Sequence, residues 1–378
     1  MIPRYSDPKI DEIWSDDHKY QLWARIELAH LQALDENAGR TQFEYGDGSR
    51  GPINYKVEIP DARTVRTREG YTGHEMGAFL ELLEENLDDP RHMRYLHYGL
   101  TSSNVIDTAD AMRVNDTTAN LCTRYEVGLY DAIRNGKFEV EVQGYTHGQR
   151  AEPTTIAHRF KAAHVPFNGF EIPTLPASLA GAVGRGLLAP KIQKDIAFKL
   201  GMKLCTEVTQ VLPRWRFSQA LWLWMQFIHT CEQIAMDVRL MSAFGDVHEP
   251  AQKIGSTAMP HKTNPIRSER VCGLAKYARG MFSAALEAQS LWLDRDLTHS
   301  SVDRLVFPDL ANLTAFMLSE TVDLLDGLVV HPTEPQEGSA AELARWQDTF
   351  DEPRSVSYKQ IREHYHGLAP GRADIDHA

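Results

Sequence analysis

The chain has 378 residues, 42% of them hydrophobic and 24% charged, and a formal net charge of −12. That length allows two or three domains or one large elongated core, and the composition is that of an ordinary globular protein. The acidic balance argues against non-specific nucleic-acid binding, which needs a basic face for the phosphate backbone, but leaves room for small anionic substrates held by a few local cations.

Cys122, Cys205, Cys231 and Cys272 lie far apart and form no C-x-x-C pair. Buried free thiols in a reducing compartment are expected rather than a disulfide framework. The opening MIPRYSDPKIDEIW carries no basic-then-apolar signal pattern. The longest apolar run, Ala220–Met225, is far too short to span a bilayer. The expectation is a cytoplasmic protein without membrane contact.

In chain order, helical spacing first appears from Ile10 to Leu34, where Leu22, Ile26, Ala29 and Ala33 share a face that Leu28 and Leu31 widen. Gly39–Arg68 is rich in Gly, Pro and charge and reads as loops with at most one short helix. Gly77–Leu87 is helical again. After Ser102-Ser103 a long helix begins: Val105, Ala109, Met112, Ala119, Cys122, Leu129 and Ile133 keep one stripe over roughly eight turns. Phe217–Phe244 is apolar around most of its circumference, as Trp222, Trp224, Met225, Phe227, Ile228, Ile234 and Val238 show. Such a helix belongs at the centre of a bundle or of an oligomer. Arg267–Ala288 and Leu310–Leu328 are two more long helices, the last ended by Gly327 and His331-Pro332. Strand signals are scarce, so the fold class is all-α.

Four polar stretches break the periodicity. GSTAMPHKTNP (Gly255–Pro265) joins a glycine loop, a serine and Lys262; its amides and lysine could stabilise an alkoxide at Ser256, although taken alone the stretch reads better as a turn with Ser256 or Thr257 as a helix cap. LHYGLTSSNVIDT (Leu96–Thr108) puts Thr101 and Ser102 at a helix start, which suits either a carboxylate ligand or simple capping. In GYTHGQRAEPTT (Gly144–Thr155), His147 lies outside any apolar stripe and is of the type best able to donate a proton near neutral pH. RDLTHSSVDR (Arg295–Arg304) gathers arginines and hydroxyls that suit phosphate oxygens, or a polar inter-helix loop.

In this order these stretches resemble the fumarase/aspartase superfamily, whose G-S-x-x-M-P-x-K-x-N-P element is matched in full by Gly255–Pro265. Within it, Arg4-Tyr5-Ser6, HYGLTSSNVIDTA, THGQRAEPTT and RDLTHSSVDRLVFPD are similar to the adenylosuccinate lyase family, from Arg4 to about Pro332. The resemblance implies an elongated long-helix bundle, with a smaller helical N-terminal domain over 1–104, the bundle over 105–332 and a shortened polar C-terminal region over 333–378.

It implies cleavage of adenylosuccinate to AMP and fumarate by general acid/base β-elimination, together with succinyl-carboxamide ribotide cleavage, in purine nucleotide biosynthesis. Ser256 matches the general base and His147 the general acid. His74, Lys262 and Glu269 complete the catalytic set. Arg4, Tyr5, Glu75, Thr101, Ser102, Gln210, Thr257, Asn264, Arg295, Ser300 and Arg304 match substrate-binding positions. No metal or cofactor is implied, and His364-Tyr365-His366 reads as a solvated tail. A homotetramer with sites shared between subunits is implied. Tyr145, Gly73 and Asn104 depart from the family pattern. Another superfamily lyase, of the argininosuccinate lyase or fumarase kind, and a non-catalytic scaffold on the same fold are the alternatives. The arginine cluster weighs against a lyase whose substrate lacks phosphate. Retention of the serine, histidine and lysine together weighs against a scaffold.

Overall fold

A side-chain acceptor just ahead of an apolar stripe starts several of the helices. In the computed structural model, which describes residues 1–37, 57–164, 171–250 and 263–331, Asp7 accepts from the Lys9 and Ile10 amides ahead of α1 (Pro8–Ile13). Helix α2 (Asp16–Asn37) buries Tyr20, Trp23 and Ile26. Asp61 caps α3 (Ala62–Thr72), which ends on Gly73 at φ 67°, a left-handed C-cap that glycine adopts without a Cβ penalty. His74 caps α4 (Glu75–Glu85), and α5 (Pro90–Tyr95) follows. Helix α6 (Ser102–Thr123) runs through a π-helical segment (Arg124–Leu129) into α7 (Tyr130–Ile133), so the apolar stripe read from the sequence is one continuous rod.

Short strands follow. β1 (Glu141–Val142) pairs antiparallel with β4 (Thr154–Thr155), and inside that pair β2 (Tyr145–Thr146) pairs with β3 (Gln149–Arg150). Helices α8 (Ile156–Ala163) and α9 (Pro190–Lys199) precede the longest helix, α10 (Arg214–Phe244). After β5 (Val247–His248), α11 (Ile266–Glu287) returns antiparallel to α10: Gln289, just beyond α11, donates to Ser218 Oγ at 2.8 Å, and Arg279 pairs with Glu232 at 2.6 Å. Helix α12 (Thr298–Gly327) then runs parallel to α10, and β6 (Val329–Val330) closes on β5.

Two apolar cores result. One joins Tyr20, Trp23, Phe79 and Leu83 to Val105, Ala109 and Met112 at the start of α6, and to Leu179, Leu188 and Ile196. The other is the bundle core, with Phe217, Trp224, Ile228 and Ile234 of α10, Val271 and Ala275 of α11, and Leu310, Leu313 and Leu324 of α12. All four cysteines are free and buried there or at its edge; burial pushes the Cys122 thiol up to about 11 and Cys231 up to about 12, so neither is a reactive thiolate. Among the described residues no helix is long and apolar enough to cross a membrane.

Two details differ from the sequence reading. Helix α12 starts at Thr298, taking in the stretch that could have been a loop, because its inward positions there are filled by His299 and Asp303, which are buried. Helix α10 is not covered all round: Trp215, Trp222, Leu240 and Phe244 are 47%, 44%, 58% and 49% exposed.

Asn104 closes the start of α6. Its Oδ1 accepts from the Thr101 amide (3.0 Å), the Thr101 hydroxyl (3.2 Å) and the Gly181 amide (3.2 Å), while its Nδ2 is buried without a hydrogen-bond partner. A carboxylate would keep the three donors, remove the orphan amide and place negative charge at a helix N-terminus. Asn104→Asp is therefore expected to stabilise the fold by about 1 kcal/mol, read as a higher Tm; a lower Tm means that burying the charge outweighs the three donors.

Candidate active site

Arg214, the first residue of α10, is 4% exposed. Its guanidinium donates to Asp107 on α6, to Asp303 on α12 at 3.0 Å and to the Leu212 carbonyl at 2.9 Å. Asp107 also accepts from the Leu212 amide at 2.6 Å. Burial works against the charge on Arg214, but the two carboxylates overcome it and hold the guanidinium protonated. The acids are less well served. Burial raises Asp303 to about 7 against the pull of Arg214, and burial also raises the neighbouring Asp110.

Beside this cluster is a cavity of about 330 Å³ lined by Trp14, Lys19, Trp23, Glu75, Asp110, Arg113, His299, Ser300, Asp303, Arg304 and Phe307. Glu75 is held by Lys19 (2.6 Å) and the Tyr20 hydroxyl (2.9 Å), with Arg304 at 3.5 Å. Burial opposes its charge, but Lys19 leads the partners that keep its carboxyl below the usual range. His299 is buried, its Nδ1 has no hydrogen-bond partner, and burial followed by the charge of Arg214 pushes its imidazole down to about 4.

The residues singled out in the sequence fall into two sets. Glu75, Ser300 and Arg304 meet at the cavity. His74 precedes Glu75, is exposed, and its Nδ1 accepts from the Gly77 amide at 3.0 Å. Thr101 and Ser102 open α6, next to Ser103, whose hydroxyl lies 3.3 Å from Gln210 Oε1. The Gln210 amide donates to the carbonyl of Asp294 at 3.0 Å, which brings Arg295 to the same end. Arg4 and Tyr5 sit farther along: Tyr5 packs edge-on against Phe316 at 5.1 Å, and the Met1 amine pairs with Asp309 at 2.6 Å. Neither Arg4 nor Tyr5 lines the cavity, but Pro308, the neighbour of Asp309, does.

The second set is at the other end of α10. His147 is exposed at the tip of the β2–β3 hairpin, in a two-residue turn with φ 52° at His147 and 72° at Gly148. Gly144 at the hairpin base is required, since a Cβ there would lie 2.0 Å from the Glu152 carbonyl oxygen. Tyr145 stacks on Phe244, the last residue of α10, at 4.5 Å. Asn264 lies two residues before α11, and Glu269 is exposed in its first turn. Ser256, Thr257 and Lys262 lie outside the described residues. The flanks of their stretch are joined by Glu249, whose buried carboxylate accepts from the Arg267 amide (2.9 Å), the Ser268 amide (2.9 Å) and the Ser268 hydroxyl (2.7 Å). At ~1.5 Å per residue, α10 separates the two sets by ~45 Å.

Sequence reasoning passed over Lys19, Asp107, Asp110, Arg214, His299 and Asp303, and also His97. His97 holds φ 58° four residues before Thr101, with its Nδ1 at 2.6 Å from the buried Glu27 carboxylate. The available signal was charge inside apolar helices, which folded proteins bury only when it is paired. Among the described residues no group of three or more metal-ligating side chains occurs.

The family described as "Lyase" matches residues 53–280. The adenylosuccinate lyase of Synechocystis sp. is 36% identical over 349 residues, covering 88% of this chain and 78% of that protein. That of Bacillus subtilis is 31% identical over 355 residues, with the same coverages. Among solved structures, a fumarate lyase from Mesorhizobium sp. superposes with a TM-score of 0.74 at 19% identity, covering 96% of this chain and 86% of that one. The β-carboxy-cis,cis-muconate cycloisomerase of Acinetobacter calcoaceticus gives 0.70 at 22%, covering 86% and 77%. These likenesses show the fold. Fold and family match together define a lyase of the fumarase/aspartase class. Within that class the chain belongs to the adenylosuccinate lyase family.

Removing Arg214 would leave Asp107 and Asp303 buried without their counter-charge. Arg214→Met is expected to destabilise the protein by about 3–5 kcal/mol at pH 8, and by less at pH 5, below the raised value of Asp303, where that acid carries its proton. Denaturant unfolding at the two pH values checks both the size and the sign of this pH dependence.

Proposed function

We propose that the chain cleaves adenylosuccinate to AMP and fumarate, and the succinyl-carboxamide ribotide by the same chemistry. The observation that carries this reading is the meeting of Glu75, Ser300 and Arg304 at one cavity, in a chain 36% identical to an adenylosuccinate lyase. In this scheme Ser256 removes the proton from the carbon beside a carboxylate of the succinyl part. The electron pair left behind forms the new C=C bond as the C–N bond breaks, and the purine nitrogen takes a proton from His147. Negative charge builds on that carboxylate, so Lys262, Asn264, Thr101 and Ser102 act most strongly as it forms. His74, Glu75, Gln210, Thr257 and Glu269 orient the substrate and the reacting groups. Arg295, Ser300 and Arg304, with Arg4 and Tyr5, hold the nucleotide. No step uses a metal or organic cofactor.

A complete site on this scheme needs more than one chain. The set at the start of α10 and the set at its end are ~45 Å apart, so the His147 hairpin must reach the cavity of another copy. The exposed tryptophans and leucine along α10 supply an apolar face for that contact. We therefore propose a homotetramer whose subunits share their sites.

Turnover followed by ultraviolet absorbance, with adenylosuccinate, the carboxamide ribotide and argininosuccinate side by side, tests the reaction; cleavage of argininosuccinate alone would overturn it. Arg304→Ala is expected to raise KM for the nucleotide substrate more than it lowers kcat, and an unchanged KM removes Arg304 from the nucleotide site. If the serine and the histidine of one site come from different copies, Ser256→Ala and His147→Gln chains, each inactive by orders of magnitude, are expected to regain up to about a quarter of wild-type activity when mixed and reassembled. A monomer by light scattering refutes the assembly, and a tetramer without any complementation means that one copy supplies both groups.

A further inference from the structure

His299 is only 6% exposed, yet its Nδ1 meets no hydrogen-bond partner and its ring lines the cavity beside Ser300 and Arg304. A buried polar nitrogen left unpaired is costly, and native proteins rarely tolerate it unless a ligand or water completes the bond. A neutral imidazole offers one donor and one acceptor. Its partner should therefore be a group able to play either part.

The rest of the lining narrows the choice. Asp107, Asp110 and Asp303 form the wall beside His299, while Arg304 has a side chain 68% exposed toward solvent. The cations at this wall, Arg214 and Arg113, are already engaged by those acids, so a phosphate suits the exposed arginine instead. Each purine nitrogen is fixed as either donor or acceptor and fits only one imidazole tautomer. The sugar of a nucleotide presents two adjacent hydroxyls, each able both to donate and to accept. A neutral imidazole flanked by carboxyl groups is complementary to such a diol.

Resting on the proposed reading of the site as a nucleotide site, we propose that His299 hydrogen-bonds the ribose diol of the bound nucleotide and makes the enzyme select ribonucleotides over deoxyribonucleotides. With the nucleotide so placed, its phosphate lies toward Arg304 and Ser300 at the cavity mouth and its sugar toward His299 at the wall. A site built to bond a hydroxyl discriminates against the analogue lacking it, because the protein group is then left buried and unpaired.

The test is the affinity of the full-length enzyme for AMP, 2′-deoxy-AMP and 3′-deoxy-AMP, by calorimetry and as product inhibition. Wild type is expected to bind AMP at least ~10-fold more tightly than one of the deoxy forms. In His299→Phe the preference should collapse to nearly equal binding. His299→Gln, which keeps a donor and an acceptor, should recover part of it. If the phenylalanine variant does not assemble, His299→Ala and His299→Gln are compared by the same ratio. No ribose preference in wild type, or the same preference in every variant, overturns the assignment. Failure of wild type to cleave adenylosuccinate or to bind AMP at all is a different outcome: it rejects the nucleotide reading on which the assignment rests.

Discussion

One guanidinium holds the cavity end of the molecule together. Arg214 bridges Asp107 and Asp303, and so ties the first turn of α10 to the second turns of α6 and α12. Those turns carry or adjoin Thr101, Ser102, Gln210, Ser300 and Arg304. A buried ion pair adds little net stability over an apolar replacement, because desolvation offsets most of the Coulomb attraction. What it supplies is a unique arrangement: three helices that could slide past one another on apolar surfaces are fixed where an unpaired charge would otherwise be buried. Arg214 serves Asp107 and Asp303 and Arg113 pairs with Asp110 at 3.2 Å, yet burial outweighs the cations at two of the three acids. Asp303 consequently rises to about 7 and Asp110 rises as well.

The length of α10 sets the second constraint. A straight helix of 31 residues cannot bring its two ends together. The antiparallel return of α11 carries the flanks of Gly255–Pro265 to the end near Phe244, and the β1–β4 ribbon holds His147 there too. Glu249 keeps both flanks of that stretch at this end by capping α11 from outside the helix. In a single chain the hairpin that carries His147 therefore stands ~45 Å of helix from the cavity. Copies packed antiparallel along α10 would join the two halves, and the tryptophans left open on that helix provide the surface for it.

The long helices were legible because their stripes are apolar and uninterrupted: Val105 to Ile133, Phe217 to Phe244 and Leu274 to Ala285 all lie on helices where the spacing put them. The start of α12 was harder to read, since His299 and Asp303 occupy inward positions that periodicity expects to be apolar. The Arg214–Asp107 contact spans 107 residues of sequence, and nothing local in either neighbourhood announces it. His97 and Glu27, 70 residues apart, met in the same way. The division of the candidate site between two ends was also hidden, because it depends on helix length and chain direction rather than on motif.

Two groups at the cavity respond to pH in opposite senses. The His299 imidazole is held near 4 in the folded protein, below its ordinary 6.5. As pH falls between those values, the unfolded chain takes up a proton that the folded chain refuses, and stability is lost. Asp303 is the reverse case, near 7 when folded against an ordinary 3.8. Over that window the folded chain takes up the proton first, so falling pH adds stability. The windows overlap almost completely. Mild acid therefore moves a proton onto Asp303 while leaving His299 neutral, and the cavity keeps its uncharged imidazole as the acidic wall next to it loses charge.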